Sequence, residues 1–146
     1  MRKINYIVVH CSATREGCTL TSEALEAEHR RRGFRTTGYH YYIRRDGTVL
    51  GTRSLELPGA HCRGHNKYSI GICYEGGLDA RGNPKDTRTP EQRSALHLLV
   101  YQLLQQFRNA RVCGHRDLSP DLDGDGTVEP WEWVKQCPCF EVSKDF

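Results

Sequence analysis

The sequence has no long apolar run. Its longest are four residues, Tyr6-Ile7-Val8-Val9 and Leu98-Leu99-Val100-Tyr101, against about 20 for a membrane span. The opening Met1-Arg2-Lys3 is basic. The run behind it is shorter than the roughly 7–15 apolar residues of a signal-peptide core, and no small-residue cleavage site follows. The expectation is a chain that is cytoplasmic as synthesised. Charge of one sign is scarce too: 21 basic and 18 acidic residues leave +3, with a pI near 8.5. That balance does not argue for nucleic acid, although it suits an anionic polymer. The one basic cluster, Arg30-Arg31-Arg32, reads as the end of a helix, where cations meet the negative pole of the dipole. The seven cysteines contain no Cys-x-x-Cys spacing, which excludes a four-cysteine zinc ribbon. Without a signal peptide, an odd cysteine count favours metal ligands and buried thiols over a disulfide framework.

What is present fits one globular domain acting as a monomer. The 146 residues are 37% apolar and 27% charged, and a chain this long buries roughly 68–70% of its unfolded surface. Ile4–Val9 reads as a buried strand ending at His10. Thr21-Ser22-Glu23 opens a helix that closes at Gly33. Tyr39–Arg44 and Thr48–Thr52 flank Asp46-Gly47, a hairpin signal. Ser69–Tyr74 reads as a core strand, and residues 75–89 as a charged, glycine-rich surface loop. Thr89-Pro90-Glu91 starts the clearest helix, with Leu96, Leu99, Val100, Leu103, Leu104 and Phe107 at helical spacing. Ala110–Cys113 is a last short strand; residues 116–146 read as loop, with a short helix at Pro130–Lys135. The order β-α-β-β-β-α-β predicts an α/β fold: a central mixed sheet flanked by helices, with the site at the strand ends.

His10 and His115 each follow a strand-like run, so both arrive where an open α/β sheet binds ligands. Two neutral imidazoles there could share a metal, and Cys137, in Lys135-Gln136-Cys137-Pro138, would add a thiolate. Such a set leaves a fourth tetrahedral position open for water, the catalytic rather than the structural arrangement of zinc. The same residues also read as ordinary half-buried polar side chains. Spacing alone does not choose.

Five segments, in order, resemble the zinc N-acetylmuramoyl-L-alanine amidases. They are Val9-His10-Cys11-Ser12-Ala13-Thr14, Gly38-Tyr39-His40-Tyr41, Arg44-Arg45-Asp46-Gly47-Thr48-Val49, Asn66-Lys67-Tyr68-Ser69-Ile70-Gly71-Ile72 and Lys135-Gln136-Cys137-Pro138. The resemblance runs from about Ile4 to Phe140. The family includes short phage lysozymes and peptidoglycan-recognition proteins. The resemblance implies zinc on His10, His115 and Cys137, catalytic roles for Tyr39 and Lys135, and a place for His61 in the substrate cleft. It implies hydrolysis of the amide joining N-acetylmuramic acid to L-alanine of the stem peptide. Zinc suits that reaction by lowering the pKa of bound water from 15.7 towards about 7. His29, His65 and His97 read as ordinary residues, Cys11 as a buried thiol, and Cys139 as the rival of Cys137. The expected partner is peptidoglycan or a muropeptide, with no nucleic acid and no membrane span. Lysin-type wall degradation after phage-type release is the leading context. The alternative is a non-catalytic peptidoglycan-binding module, against which the presence of Cys137 counts.

One departure from the short phage enzymes is large. Nineteen residues, Arg116 to Val134, separate His115 from Lys135, in place of a brief loop. Within them, residues 121–132 fit the twelve-residue EF-hand pattern. Asp121, Asp123 and Asp125 stand at positions 1, 3 and 5, Gly126 at 6, Thr127 at 7, Glu129 at 9 and Glu132 at 12. The expectation is an inserted calcium site that steadies the segment presenting Lys135 and Cys137.

Overall fold

In a computed structural model describing residues 2–146, two strands carry the architecture. Met1, part of the basic opening, lies outside the described residues. β1 (Tyr6–Cys11) and β5 (Ser69–Tyr74) pair in parallel at the middle of a five-stranded sheet. Every residue of β5, and all of β1 except Tyr6, is buried, as strands covered on both faces must be. β3 (Tyr41–Ile43) lies parallel to β5, and β7 (Arg111–Gly114) parallel to β1. β4 (Val49–Gly51) closes the far edge antiparallel to β3, giving the order β4-β3-β5-β1-β7. The expected hairpin is present: Gly47 takes a left-handed φ of 89°, and Asp46 Oδ1 accepts from the Thr48 N–H at 2.9 Å. A small second sheet pairs β2 (Thr14–Arg15) with β6 (Gly77–Leu78).

The two faces of the sheet differ. Ile7, Val9 and Cys11 of β1, with Ile70, Ile72 and Tyr74 of β5, face α2 (Pro90–Gln106). There they meet Leu96, Leu99, Val100 and Leu103. The alternate residues, Val8 and His10 against Ser69, Gly71 and Cys73, face the side of α1 (Ser22–Arg31). On that side β5 offers only small side chains, which leaves room above the sheet for the rings of His61 and Tyr39.

Both helices begin as the sequence predicts. Thr21 caps α1, and Thr89 caps α2 in a capping box with Gln92. Four expectations are corrected. β1 runs on through His10 to Cys11, because the sheet continues to pair there: His10 stands opposite Cys73 and Cys11 opposite Tyr74. Residues 75–89 are not wholly surface loop, since Glu75 is buried. Its carboxylate accepts from the backbone N–H of Leu20 and Arg45 and from Arg44 Nε. Burial pushes the carboxyl up, but these bonds outweigh it and hold it below its ordinary value. The C-terminal segment is likewise more than loop: Phe140 and Val142 enter the main core, and Arg88 spans Asp86 and Asp145 across the Phe140 ring. Pro130–Glu132 forms a single 3-10 turn in place of the short helix expected to Lys135.

Gln92 ties this frame together. Wholly buried, it donates from Nε2 to the carbonyls of Ile43 and Glu75, while its Oε1 accepts from Thr89 N–H. Gln92→Ala leaves two buried carbonyls without this partner and removes half the capping box. It should lower stability by about 2–4 kcal/mol. Urea unfolding should show a lower midpoint with an unchanged slope.

Candidate metal centre and cleft

The first donor comes from β1. His10 is 1% exposed. Burial, followed by the neighbouring charges of His61, His115 and Lys135, pushes its pKa well below the ordinary histidine value. Its imidazole is therefore neutral, the form that binds metal. His115 follows the last residue of β7 and begins a 3-10 turn, and its ring centroid lies 4.6 Å from that of His10. The third donor arrives from far along the chain. Arg116 N–H donates to the Cys137 carbonyl at 2.9 Å, and Tyr74 Oη donates to the Pro138 carbonyl at 2.6 Å. Gly114 permits this docking, since a Cβ there would stand 2.7 Å from Pro138 Cδ. Ligand atoms of His10, His115 and Cys137 consequently lie within 4.8 Å of one another. The backbone N–H of Cys11 points at Cys137 Sγ from 3.2 Å. The donor set and its surroundings fit a divalent metal. Cys139 is outside this group; its sulfur lies 3.9 Å from that of Cys11.

The three donors lie on a cleft of about 500 Å³. Tyr39 stands just before β3, with its ring centroid 5.1 Å from that of His10. Burial, with the thiols of Cys73 and Cys137 beside it, holds its phenol well above the ordinary tyrosine value, so it stays protonated. Lys135 is exposed on the rim, two residues before Cys137. Past His115 and Lys135 the cleft opens into a trough of about 430 Å³ along Phe34, Arg63 and Val134. The site thus has the shape of a groove rather than a closed pocket.

His61 lies in the cleft wall, 9% exposed, with Nδ1 2.8 Å from His10 Nε2 and Nε2 3.1 Å from Ser69 Oγ. Burial lowers its pKa to about 3. His40 is fully buried behind it: Nδ1 accepts from Gly71 N–H, and Nε2 donates to the Leu57 carbonyl. His29, read from the sequence as an ordinary helix residue, also lines the cleft. Its Nδ1 accepts from Gly38 N–H at 2.8 Å, and its ring packs 5.4 Å from Tyr39. The signal for it was the i, i+4 pair of Leu25 and His29 on the buried side of α1.

Residues 121–132 gather a second group. Carboxylate oxygens of Asp121, Asp123, Asp125 and Glu132 lie within 4.8 Å of one another. Asp121 accepts from the N–H groups of Gly124 and Gly126, and Asp125 from that of Thr127. Glu132 is buried and accepts from the backbone of Leu122 and Glu129.

Two imidazoles and a thiol, brought to one groove from β1, from the turn after β7 and from the C-terminal loop, make a donor set suited to a hydrolytic metal centre. Comparison with known proteins agrees in class: residues 1–138 match the N-acetylmuramoyl-L-alanine amidase family, and the chain belongs to that family. An endolysin of Klebsiella phage KP32 is 35% identical over 143 residues, covering 98% of this chain and 85% of the phage protein. A peptidoglycan-recognition protein of Drosophila melanogaster is 29% identical over 120 residues, covering 79% of this chain and 65% of its own length. The solved structure of the N-acetylmuramoyl-L-alanine amidase LysC from Clostridium intestinale URNW superposes with a TM-score of 0.76 at 26% identity, over 99% of this chain and 83% of that one. No helix among the described residues is long and apolar enough to cross a membrane.

Proposed function

We propose that this protein hydrolyses the amide between N-acetylmuramic acid and L-alanine in peptidoglycan, as a monomeric lysin-type amidase. His10, His115 and Cys137 hold one zinc ion in this reading. The observation that carries it is the convergence of those three donors on a groove that also presents Tyr39 and Lys135. Zinc bound there would supply Lewis acidity and a water of lowered pKa. The remaining work falls to side chains. The groove orients an extended glycopeptide across the donors. The Lys135 ammonium, on its flexible stem, meets the carbonyl oxygen as negative charge develops on it. The Tyr39 phenol, kept protonated, donates a hydrogen bond to the same oxygen. His61 stands in the wall between these groups and the sheet.

The endolysin relatives support an enzyme, and the recognition-protein relative keeps a binding module in view. Incubation with purified sacculi, with and without chelator, separates the two readings. The expected result is release of stem peptides with a free L-alanine amino end, seen by mass spectrometry and abolished by chelation. Binding to sacculi with no released peptide would establish the module instead.

Cys137→Ser should strip most of the zinc and all turnover, whereas Cys139→Ser should keep both. Zinc loss from Cys139→Ser alone would overturn the ligand set. Lys135→Ala and Tyr39→Phe should each retain zinc and fold while turnover falls about 10²–10³-fold, the usual cost of one oxyanion donor.

Residues 121–132 take calcium in this reading, through Asp121, Asp123, Asp125, Glu132 and the Thr127 carbonyl. In support, the acids crowd one another: a hydrogen bond to Asp125, with nearby negative charge, raises the Glu129 carboxyl to about 7. A cation would relieve that crowding. Millimolar calcium should raise Tm by about 2–4 °C for each kcal/mol of binding energy. Asp125→Ala should erase the shift, and calorimetry showing no calcium uptake would refute the site.

A further inference from the structure

His61 has a structural relation to His10 that its place in the cleft does not explain. The two rings stand edge to face, with His10 Nε2 and His61 Nδ1 2.8 Å apart. On the far side, His61 Nε2 meets the buried Ser69 Oγ at 3.1 Å. The ring is tightly seated. A Cβ at Gly71 would lie 2.6 Å from His61 Cγ, and one at Gly59 would lie 2.5 Å from His61 Cδ2. Two glycines, one in β5 and one in the loop, therefore leave the space this ring fills. Asn66 Oδ1 accepts from both His61 N–H and Cys62 N–H, which fixes the loop that carries it.

We infer that His61 is a positioning residue for His10. It accepts a hydrogen bond from His10 Nε2–H at its own Nδ1, donates its Nε2–H to Ser69 Oγ, and so leaves His10 Nδ1 as the nitrogen free to bind metal. A ligating imidazole generally donates its other N–H to a fixed acceptor, which sets its tautomer and its ring orientation. In most such sites the acceptor is a carboxylate, a carbonyl or water. Here it is a second neutral imidazole, held by a serine on the neighbouring strand. The opposite chain of donors, from Ser69 through His61 to His10, would put the proton on His10 Nδ1 and close that nitrogen to metal. Metal loading and the His10-His61-Ser69 chain therefore select the same tautomers. Ser69 reaches the chain because β1 and β5 pair in the register that puts Val8 opposite Gly71.

This inference rests on the zinc reading above, and the test separates the two. Zinc affinity is measured on the metal-free protein and its variants by competition with a chromophoric chelator, with circular dichroism recording the fold. His61→Ala should weaken zinc binding about 10–100-fold, the usual effect of losing such a partner, with the fold unchanged. His61→Asn should recover most of the loss, because Oδ1 replaces Nδ1 as the acceptor. Ser69→Ala, which removes only the far end of the chain, should give a smaller loss in the same direction and stands in for His61→Ala should that variant fail to fold. If the wild-type protein binds zinc and His61→Ala binds it equally or more tightly, the inference is overturned and the proposed function stands. A rise in KM for sacculi at unchanged zinc affinity would likewise overturn it, assigning His61 to the substrate. If the wild-type protein binds no zinc, the proposed metal centre fails and this inference fails with it.

Discussion

A parallel pair of strands buried on both faces is the constraint from which the rest of this structure follows. β1 and β5 cannot turn a side chain to open water, so each must satisfy two different packings at once. Towards α2 they place Ile7, Val9, Ile70, Ile72 and Tyr74, and the core closes there. Towards α1 they place His10, Ser69, Gly71 and Cys73. Small side chains on β5 leave space above the sheet, and His61 and Tyr39 fill part of it. The polar contents of that space are acceptable because they bond to one another; an unpaired polar group there would cost about 1–3 kcal/mol. The candidate metal centre is the open end of this polar layer.

The third donor depends on a different part of the molecule. Cys137 is brought to β1 by two hydrogen bonds to its backbone neighbourhood, from Arg116 N–H to its own carbonyl and from Tyr74 Oη to that of Pro138. The same C-terminal segment is anchored by Phe140 and Val142 in the core and by Arg88 across the Phe140 ring. Stability and site geometry are therefore coupled at this segment. The acidic loop at 121–132 lies just before it. Glu132, the buried member of that loop, stands three residues before Lys135. Any ion that ordered the loop would also narrow the range of positions open to Lys135 and Cys137.

Much of the frame was legible in the chain. Thr21 and Thr89 marked helix starts because capping is local chemistry, decided within four residues. Asp46-Gly47 marked the hairpin for the same reason. The burial of Glu75 was not legible: a carboxylate after a strand and before two glycines looks like a surface turn. Its partners, Leu20, Arg44 and Arg45, lie 55, 31 and 30 residues away. The i, i+4 spacing of Leu25 and His29 marked the buried side of α1, but nothing along the chain said that this side faces the cleft. Small residues alternating with large ones in Ser69-Ile70-Gly71-Ile72-Cys73-Tyr74 did hold a signal: one face of that strand had to leave room for something.

By itself, then, the sequence determined the elements and their order, the caps and turns, and which residues had the chemistry to bind a metal or carry a proton. These follow from local sterics, hydrogen bonding and periodicity along the chain. The motif around Cys137 pointed to it over Cys139, but only the tertiary structure decided how it meets His10 and His115, and that His61 bonds to His10 and Ser69 from the cleft wall. Those outcomes depend on the register of β1 against β5 and on the docking of the C-terminal segment onto β7. Both are set by long-range packing, for which spacing along the chain has no measure.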